Sequence, residues 1–366
     1  MSFKDRLGKL QHALSLMSCD ALVIDDAINI FYMTGLNLSA GKLLIHLRGA
    51  HLIVDTRYYE ICKKGSPFPV LESEKHSLET VLASSEFDIS SLGFDSDKTS
   101  HKTFLSLINI IEKVNINRLN LNASLLQLIP LDSPLKSLRS IKDTEEIALL
   151  REAAILGSQG FDFACSLLKE GITELEVAIA LEIFWKQRGG RNVAFDPIIA
   201  FGANSSMPHY RAGNQYLKVG DPVLIDIGVC LNRYHSDMTR MFYFGEPDPR
   251  IRTIHAIVAQ AQQTALTLCR PGTLLGDLDL AAREVIAAAG YGEYFTHSLG
   301  HGIGLEIHEF PIIKNILPYK DVVLEAGMAI TIEPGIYLPG VGGVRIEDTV
   351  VITNDGHENL TRIKTM

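Results

Sequence analysis

Two apolar runs more than a hundred residues apart share one anomaly, a carboxylate set among residues that should form a strand's core. Asp226 lies in Val223-Leu-Ile-Asp-Ile-Gly-Val229, six positions after Gly220. Glu333 lies in Ala329-Ile-Thr-Ile-Glu-Pro-Gly-Ile-Tyr337, six positions after Gly327. The segments that follow also correspond, Asp237-Met-Thr239 with Glu347-Asp-Thr349. Upstream, Gly171 and Gly272 each open a helix-like stretch, ending near Gly189 and Gly290. One such match is coincidence, but four in register indicate duplication. The chain is therefore expected to hold two similar helix–hairpin halves about a pseudo-two-fold axis, with both hairpins at the centre.

Burying an unpaired carboxylate costs on the order of several kcal/mol, and neither run holds a lysine or arginine. In antiparallel hairpins the return strands can set Asp237 opposite Asp226 and Glu347 opposite Glu333. Any one of these acids alone could be a solvated residue on an edge strand. Four gathered together repel one another unless a cation joins them, and four carboxylates suffice for two divalent ions. Arg345, two residues before Glu347, is placed to pair with one acid and support the cluster. A histidine ligand is expected in Ser298-Leu-Gly-His301-Gly-Ile-Gly-Leu-Glu-Ile-His308-Glu-Phe-Pro311, where glycines beside His301 let backbone approach closely. His297 and His308 share that segment, and His209 sits in the corresponding loop of the first half. The seven-residue step from His301 to His308 does not fit adjacent helical turns, so these histidines belong on strands or loops.

The 366 residues exceed what one core usually serves, so two domains are expected. Ala21–Ile24, Lys42–Leu47 and His51–Val54 read as short strands, and His101–Val114 has helical spacing, which predicts a small α/β domain. Residues 129–140 read as a linker, with the domain boundary near 135. Asp143, with Glu146 three residues on, predicts a capped helix start. A formal net charge of −9 argues against nucleic acid or an anionic membrane as partner. The five scattered cysteines form no C-x-x-C pair and suit a reducing compartment. The N-terminus lacks a signal peptide's apolar core and no run approaches a membrane span. A cytoplasmic protein is the expectation.

Four motifs together resemble a known family: Asp226-x10-Asp237, Gly300-His301-Gly-Ile-Gly, Glu333-Pro-Gly and Val344-Arg-Ile-Glu-Asp348. Over about residues 143–366 the chain is similar to the pita-bread metallopeptidases, the group of methionine aminopeptidase, aminopeptidase P and prolidase. The resemblance implies a creatinase-type α/β N-terminal domain over 1–135. Over 136–366 it implies an α+β pita-bread catalytic domain with an internal pseudo-two-fold repeat. It makes Asp226, Asp237, His301, Glu333 and Glu347 the ligands of a dinuclear centre, with Glu333 also the proton acceptor. His209, His297 and His308 match the family's active-site histidines that are not ligands, and Arg345 completes the catalytic set. Oxygen-rich ligands and family behaviour point to two manganese ions, although cobalt, zinc or iron could occupy the same site.

The N-terminal domain sets aminopeptidase P and prolidase apart from simple methionine aminopeptidases. Both act on short peptides with proline second. Prolidase-type members often carry an arginine where this chain has Ile312, placed to hold a dipeptide's carboxylate. Its loss favours longer peptides, so Xaa-Pro aminopeptidase activity is the expectation and Xaa-Pro dipeptidase the alternative. A creatinase-like non-peptidase or a binding protein of the same fold is a third reading. A homodimer is expected from similar proteins.

Overall fold

The computed structural model describes residues 1–361 apart from 18, 85–88 and 122; the last five residues of the expected catalytic domain lie outside the described residues. The chain divides into two compact units, Met1–Leu138 and Arg139–Met366.

The first unit is built on one six-stranded mixed sheet. Its order is Val70–Glu72, Gly49–Val54, Lys42–His46, Ala21–Ile24, Ser91–Asp95, Gln127–Leu131. Ala21–Ile24 sits inside the sheet, with an antiparallel neighbour on one side and a parallel one on the other. All four of its residues are buried, which is why it reads as an unbroken apolar run. The helix His101–Asn120, capped by Ser100, packs Leu107, Ile111 and Val114 against Val23, Leu44 and Leu92. The stretch read as a linker is more ordered than expected. Gln127–Leu131 is the sheet's last strand, and Lys136–Ser140 forms a short helix. Pro130 concealed that strand, but a proline is tolerated on an edge because one side of the strand needs no N–H.

The second unit repeats one element order. Helices Thr144–Leu167 and Glu174–Lys186 precede a sheet of Ile198–Phe201, Asp221–Ile227 and Met238–Phe244. Helices Pro249–Thr267 and Leu275–Ala288 precede a five-stranded sheet that includes Gly300–Gly302, Ala329–Ile332 and Asp348–Ile352. The first of these helices starts at Asp143, whose capping box with Glu146 is complete. Gly220 and Gly327, the markers six residues before each acid, have φ of +96° and +93°. Both halves thus turn into the carboxylate strand through the same left-handed conformation, which favours glycine. The pita-bread architecture implied by the sequence is the one observed.

Strand periodicity explains how acids fit such apolar runs. Val223, Ile225 and Ile227 point into a core with Leu156, Trp185 and Phe201. Leu224 belongs to a separate small cluster, and Asp226 shares its side of the strand. In the second half, Ile330 and Ile332 enter the other core, while Thr331 and Glu333 take the opposite face. Both faces are buried, so no polar alternation appears in the sequence. A backbone bridge between Thr239 and Glu347 links the edge strand Met238–Phe244 to the acid-bearing hairpin of the second half.

Candidate metal centre

The register of the two hairpins places the acids, with one departure from expectation. Ala329–Ile332 pairs with Asp348–Ile352, and Gly335–Leu338 with Gly342–Arg345, in one continuous register. Glu333 therefore lies opposite Glu347, as expected. In the first half, however, Thr239 is the partner of Asp226, and Asp237 lies two residues off. Asp237 follows Asp226 by eleven positions, whereas the cross-strand partner follows it by thirteen, so the two aspartates are diagonal neighbours rather than a direct pair. Diagonal side chains on one face still meet.

His301 sits on the short strand Gly300–Gly302, and close backbone approach explains its flanking glycines. A Cβ on Gly300 would lie 2.0 Å from the Thr331 carbonyl oxygen, and one on Gly302 2.3 Å from that of Phe310. The His301 Nδ1 is 3.0 Å from the Gly302 carbonyl, which can only accept, so Nδ1 carries the proton. The unprotonated Nε2 then faces Asp237 Oδ2 at 3.5 Å and Glu333 Oε1 at 3.4 Å. Burial, with His308 beside it, lowers the His301 pKa to about 4, so the ring is neutral at physiological pH. The imidazole lone pair thus points at two carboxyl oxygens, which stay ionised beside it only if a cation joins them.

The same conflict runs through the acids. Burial, followed by the charges of Glu347, Asp226 and Glu333, raises the Asp237 carboxyl well above its ordinary range. Burial and neighbouring carboxylates raise Glu347 likewise. Burial pushes Glu333 up to about 8. One ligand atom each from Asp237, His301 and Glu347 lies within 4.8 Å of the other two. Arg345 Nη2 donates to Asp226 Oδ2, but Asp226 Oδ1 is buried with no hydrogen-bond partner. One guanidinium among four acids leaves the cluster short of positive charge. An orphaned carboxylate oxygen, converging oxygens and an imidazole lone pair fit divalent cations.

Supporting contacts reach residues that sequence reading missed. Thr239 Oγ1 donates to Glu347 Oε2 at 2.7 Å and accepts from Arg345 Nε at 3.1 Å. Thr331 Oγ1 donates to Glu333 Oε1 at 3.3 Å and accepts from the His301 backbone N–H at 3.0 Å. Tyr337 OH accepts from Arg345 Nη1 at 2.6 Å and reaches His297 Nε2 at 2.8 Å. The His297 Nδ1 lies 2.8 Å from the Ser298 carbonyl, so Nε2 is the acceptor for the tyrosine proton. Burial, then the Arg345 charge, lowers the His297 pKa to about 3. One signal for Tyr337 was present: Gly335 of the Glu-Pro-Gly motif has to be small, because a Cβ there would lie 2.5 Å from the Tyr337 hydroxyl oxygen.

All nine residues singled out in the sequence line one cleft of about 330 Å³: Asp226, Asp237, His301, Glu333, Glu347, Arg345, His209, His297 and His308. His308 packs edge-on against His301, with ring centres 4.4 Å apart. His209 enters from the loop after the 3₁₀ turn Gly202–Ser206. Phe195, Ile198, Pro208 and Ile312 supply apolar wall.

Residues 148–354 match Metallopeptidase family M24, and residues 6–141 match the Creatinase/Prolidase N-terminal domain. The chain belongs to family M24. It is 38% identical to an Xaa-Pro dipeptidase from Pyrococcus furiosus over 361 residues, 98% of each chain. Among solved structures it is similar to a prolidase from Pyrococcus horikoshii, at 36% identity and a TM-score of 0.87, covering 98% of this chain and 99% of that one. It is also similar to an Xaa-Pro dipeptidase from Bacillus anthracis, at 33% identity and a TM-score of 0.90, covering 100% and 99%. As an M24 protein it is a metallopeptidase, in keeping with the acid-rich cleft. Among the described residues no helix is long and apolar enough to cross a membrane.

Proposed function

We propose that this chain is an Xaa-Pro dipeptidase, which hydrolyses the bond between the first residue and proline in dipeptides. The observation that carries this is the cleft itself, four carboxylates and a neutral imidazole gathered in a small, partly apolar cavity. Its volume of about 330 Å³ is near the lower end for small-molecule sites and suits a dipeptide. The aminopeptidase P expectation, drawn from Ile312, gives way. Two relatives matched along almost their whole length, at 38% and 36% identity, are named Xaa-Pro dipeptidase and prolidase. Lacking one arginine is not lacking an anchor, since His209 and His308 also line the cleft and can read a proline carboxylate.

Asp226, Asp237, His301, Glu333 and Glu347 would hold two divalent ions, for which the oxygen-rich set favours manganese. When bound, such ions acidify a water molecule and polarise the scissile carbonyl. Glu333 accepts the proton of the attacking water and passes it to the proline nitrogen. His308 or His209 donates to the oxyanion as the carbonyl becomes tetrahedral. Arg345 holds Asp226 in place, and Tyr337 holds both Arg345 and His297. Phe195, Ile198 and Ile312 give the pyrrolidine ring an apolar surface.

The five cysteines are all unpaired, which supports the cytoplasm as location. A homodimer belongs to the same reading, by likeness to similar proteins. The deciding experiment offers Ala-Pro and Arg-Pro-Pro in parallel to protein supplied with manganese. Cleavage of Ala-Pro alone is expected. Release of the N-terminal residue from the tripeptide would restore the aminopeptidase P reading, and cleavage of neither by metal-loaded protein would favour a non-peptidase role.

A further inference from the structure

Glu309 follows His308 directly, yet it does not line the cleft, and its side chain is only 7% exposed. Two buried cations hold it. Arg139 Nη2 lies 2.5 Å from Oε2, and Lys142 Nζ lies 2.8 Å from Oε1. Both cations come from the segment that opens the catalytic unit, with side chains 8% and 1% exposed. Arg139 also pairs with Glu306 at 2.9 Å, so two cations meet two carboxylates. Burial alone would raise the Glu309 carboxyl, but Lys142 and Arg139 hold it below its ordinary range.

The loop before Glu309 curls around this carboxylate. The Glu306 backbone N–H donates to Oε2 at 3.4 Å, and a Cβ on Gly304 would come within 2.6 Å of Oε1. Glu309 also begins the strand Glu309–Ile313, where it pairs with Gly302. His301, the next residue along, pairs with Ile312, so the register shifts at this point. A buried ion cluster therefore pins the place where the His308 loop meets the His301 strand. Removing one partner from a buried ion cluster leaves the others uncompensated, so the cluster constrains the side chains it joins even where it adds little stability.

We propose that Glu309, clamped by Arg139 and Lys142, is a positioning residue that holds the His308 imidazole against His301 at the wall of the cleft. The inference rests on the dipeptidase reading above, and wild-type hydrolysis of Ala-Pro is the control for that reading. Glu309→Gln should lower kcat roughly 10–100-fold with KM and metal content little changed, because misplacing a reacting group by about 1 Å costs this much. Lys142→Met should give a smaller fall in the same direction and serves if Glu309→Gln does not fold. The decisive readout is the double variant. If Glu309 acts through His308, then Glu309→Gln costs nothing further once His308→Ala is in place. Multiplying losses, or an unchanged kcat in Glu309→Gln, overturn the inference. So does a His308 imidazole signal that does not move between wild type and Glu309→Gln in nitrogen-15 spectra, a readout independent of activity.

Discussion

At Asp226 the two carboxylate oxygens have different fates. Oδ2 accepts from Arg345, while Oδ1 is buried without a hydrogen-bond partner. A buried acceptor left unmade costs about 1–3 kcal/mol, which a structure retains where a ligand will satisfy it. The same logic gives Asp237→Ala a definite expectation. The variant should fold, lose at least roughly 100-fold in turnover, and bind less than the wild-type complement of metal, since even outer partners of metal ligands are worth 10–100-fold. Parallel elemental analysis and Ala-Pro assays check this, and wild-type turnover in metal-supplemented buffer would sink the assignment. Tyr337→Phe removes only a hydroxyl. It frees one Arg345 N–H and leaves His297 Nε2 without its donor. Activity should fall about tenfold with metal content nearly unchanged, as expected for a residue one layer behind the ligands.

The elements that carry these side chains tolerate little change. The strand with His301 passes so close to its neighbour that a methyl group on Gly300 would collide with backbone atoms of Thr331. Backbone cannot rotate aside as a side chain can, so Gly300→Ala should destabilise the protein by at least about 1–3 kcal/mol, the usual cost of overpacking. Urea unfolding monitored by circular dichroism measures it, and an unchanged midpoint would mean that the strands separate more easily than their packing implies. The carboxylate strands were legible because a charge inside an apolar run is costly, and duplicated spacing made chance untenable. The glycines around His301 were legible for a similar reason, since close approach excludes a side chain. Thr239 and Thr331 were not legible, and Tyr337 only through the small residue at Gly335, because hydroxyls on strands are common and their roles arise from partners up to 108 residues away. The Asp226–Thr239 pairing was misjudged because a two-residue change in hairpin register keeps every side chain on its face and so leaves the apolar pattern intact. The strand Gln127–Leu131 was hidden by a proline that only an edge position permits.

Across the whole molecule, the crowded acids make metal and protons competitors for one site. Glu333 loses its proton near 4.5 as an ordinary carboxyl but near 8 when folded without metal. The folded protein therefore binds more protons than the unfolded chain in that interval, and its stability declines as pH rises through it. Asp237 and Glu347, raised for the same reasons, act in the same direction. His297 and His301 act oppositely. Their pKa values, lowered from 6.5 to about 3 and about 4, make the unfolded chain the better proton binder below 6.5. The two trends offset each other between about pH 4.5 and 6.5. As pH climbs past 6.5 the histidines become neutral in both states and the carboxylates come to govern alone. Metal-free protein should accordingly show a Tm that drops between pH 6.5 and 8, whereas protein saturated with manganese should hold its Tm over that range. Binding must also expel protons, because the carboxylates take metal only when ionised. Calorimetric titration with manganese at pH 7, repeated in buffers of different ionisation enthalpy, should therefore report net proton release that shrinks by pH 9. A metal-free Tm that rises from pH 6.5 to 8, or metal binding without proton release, would mean that the four acids do not share a single buried site.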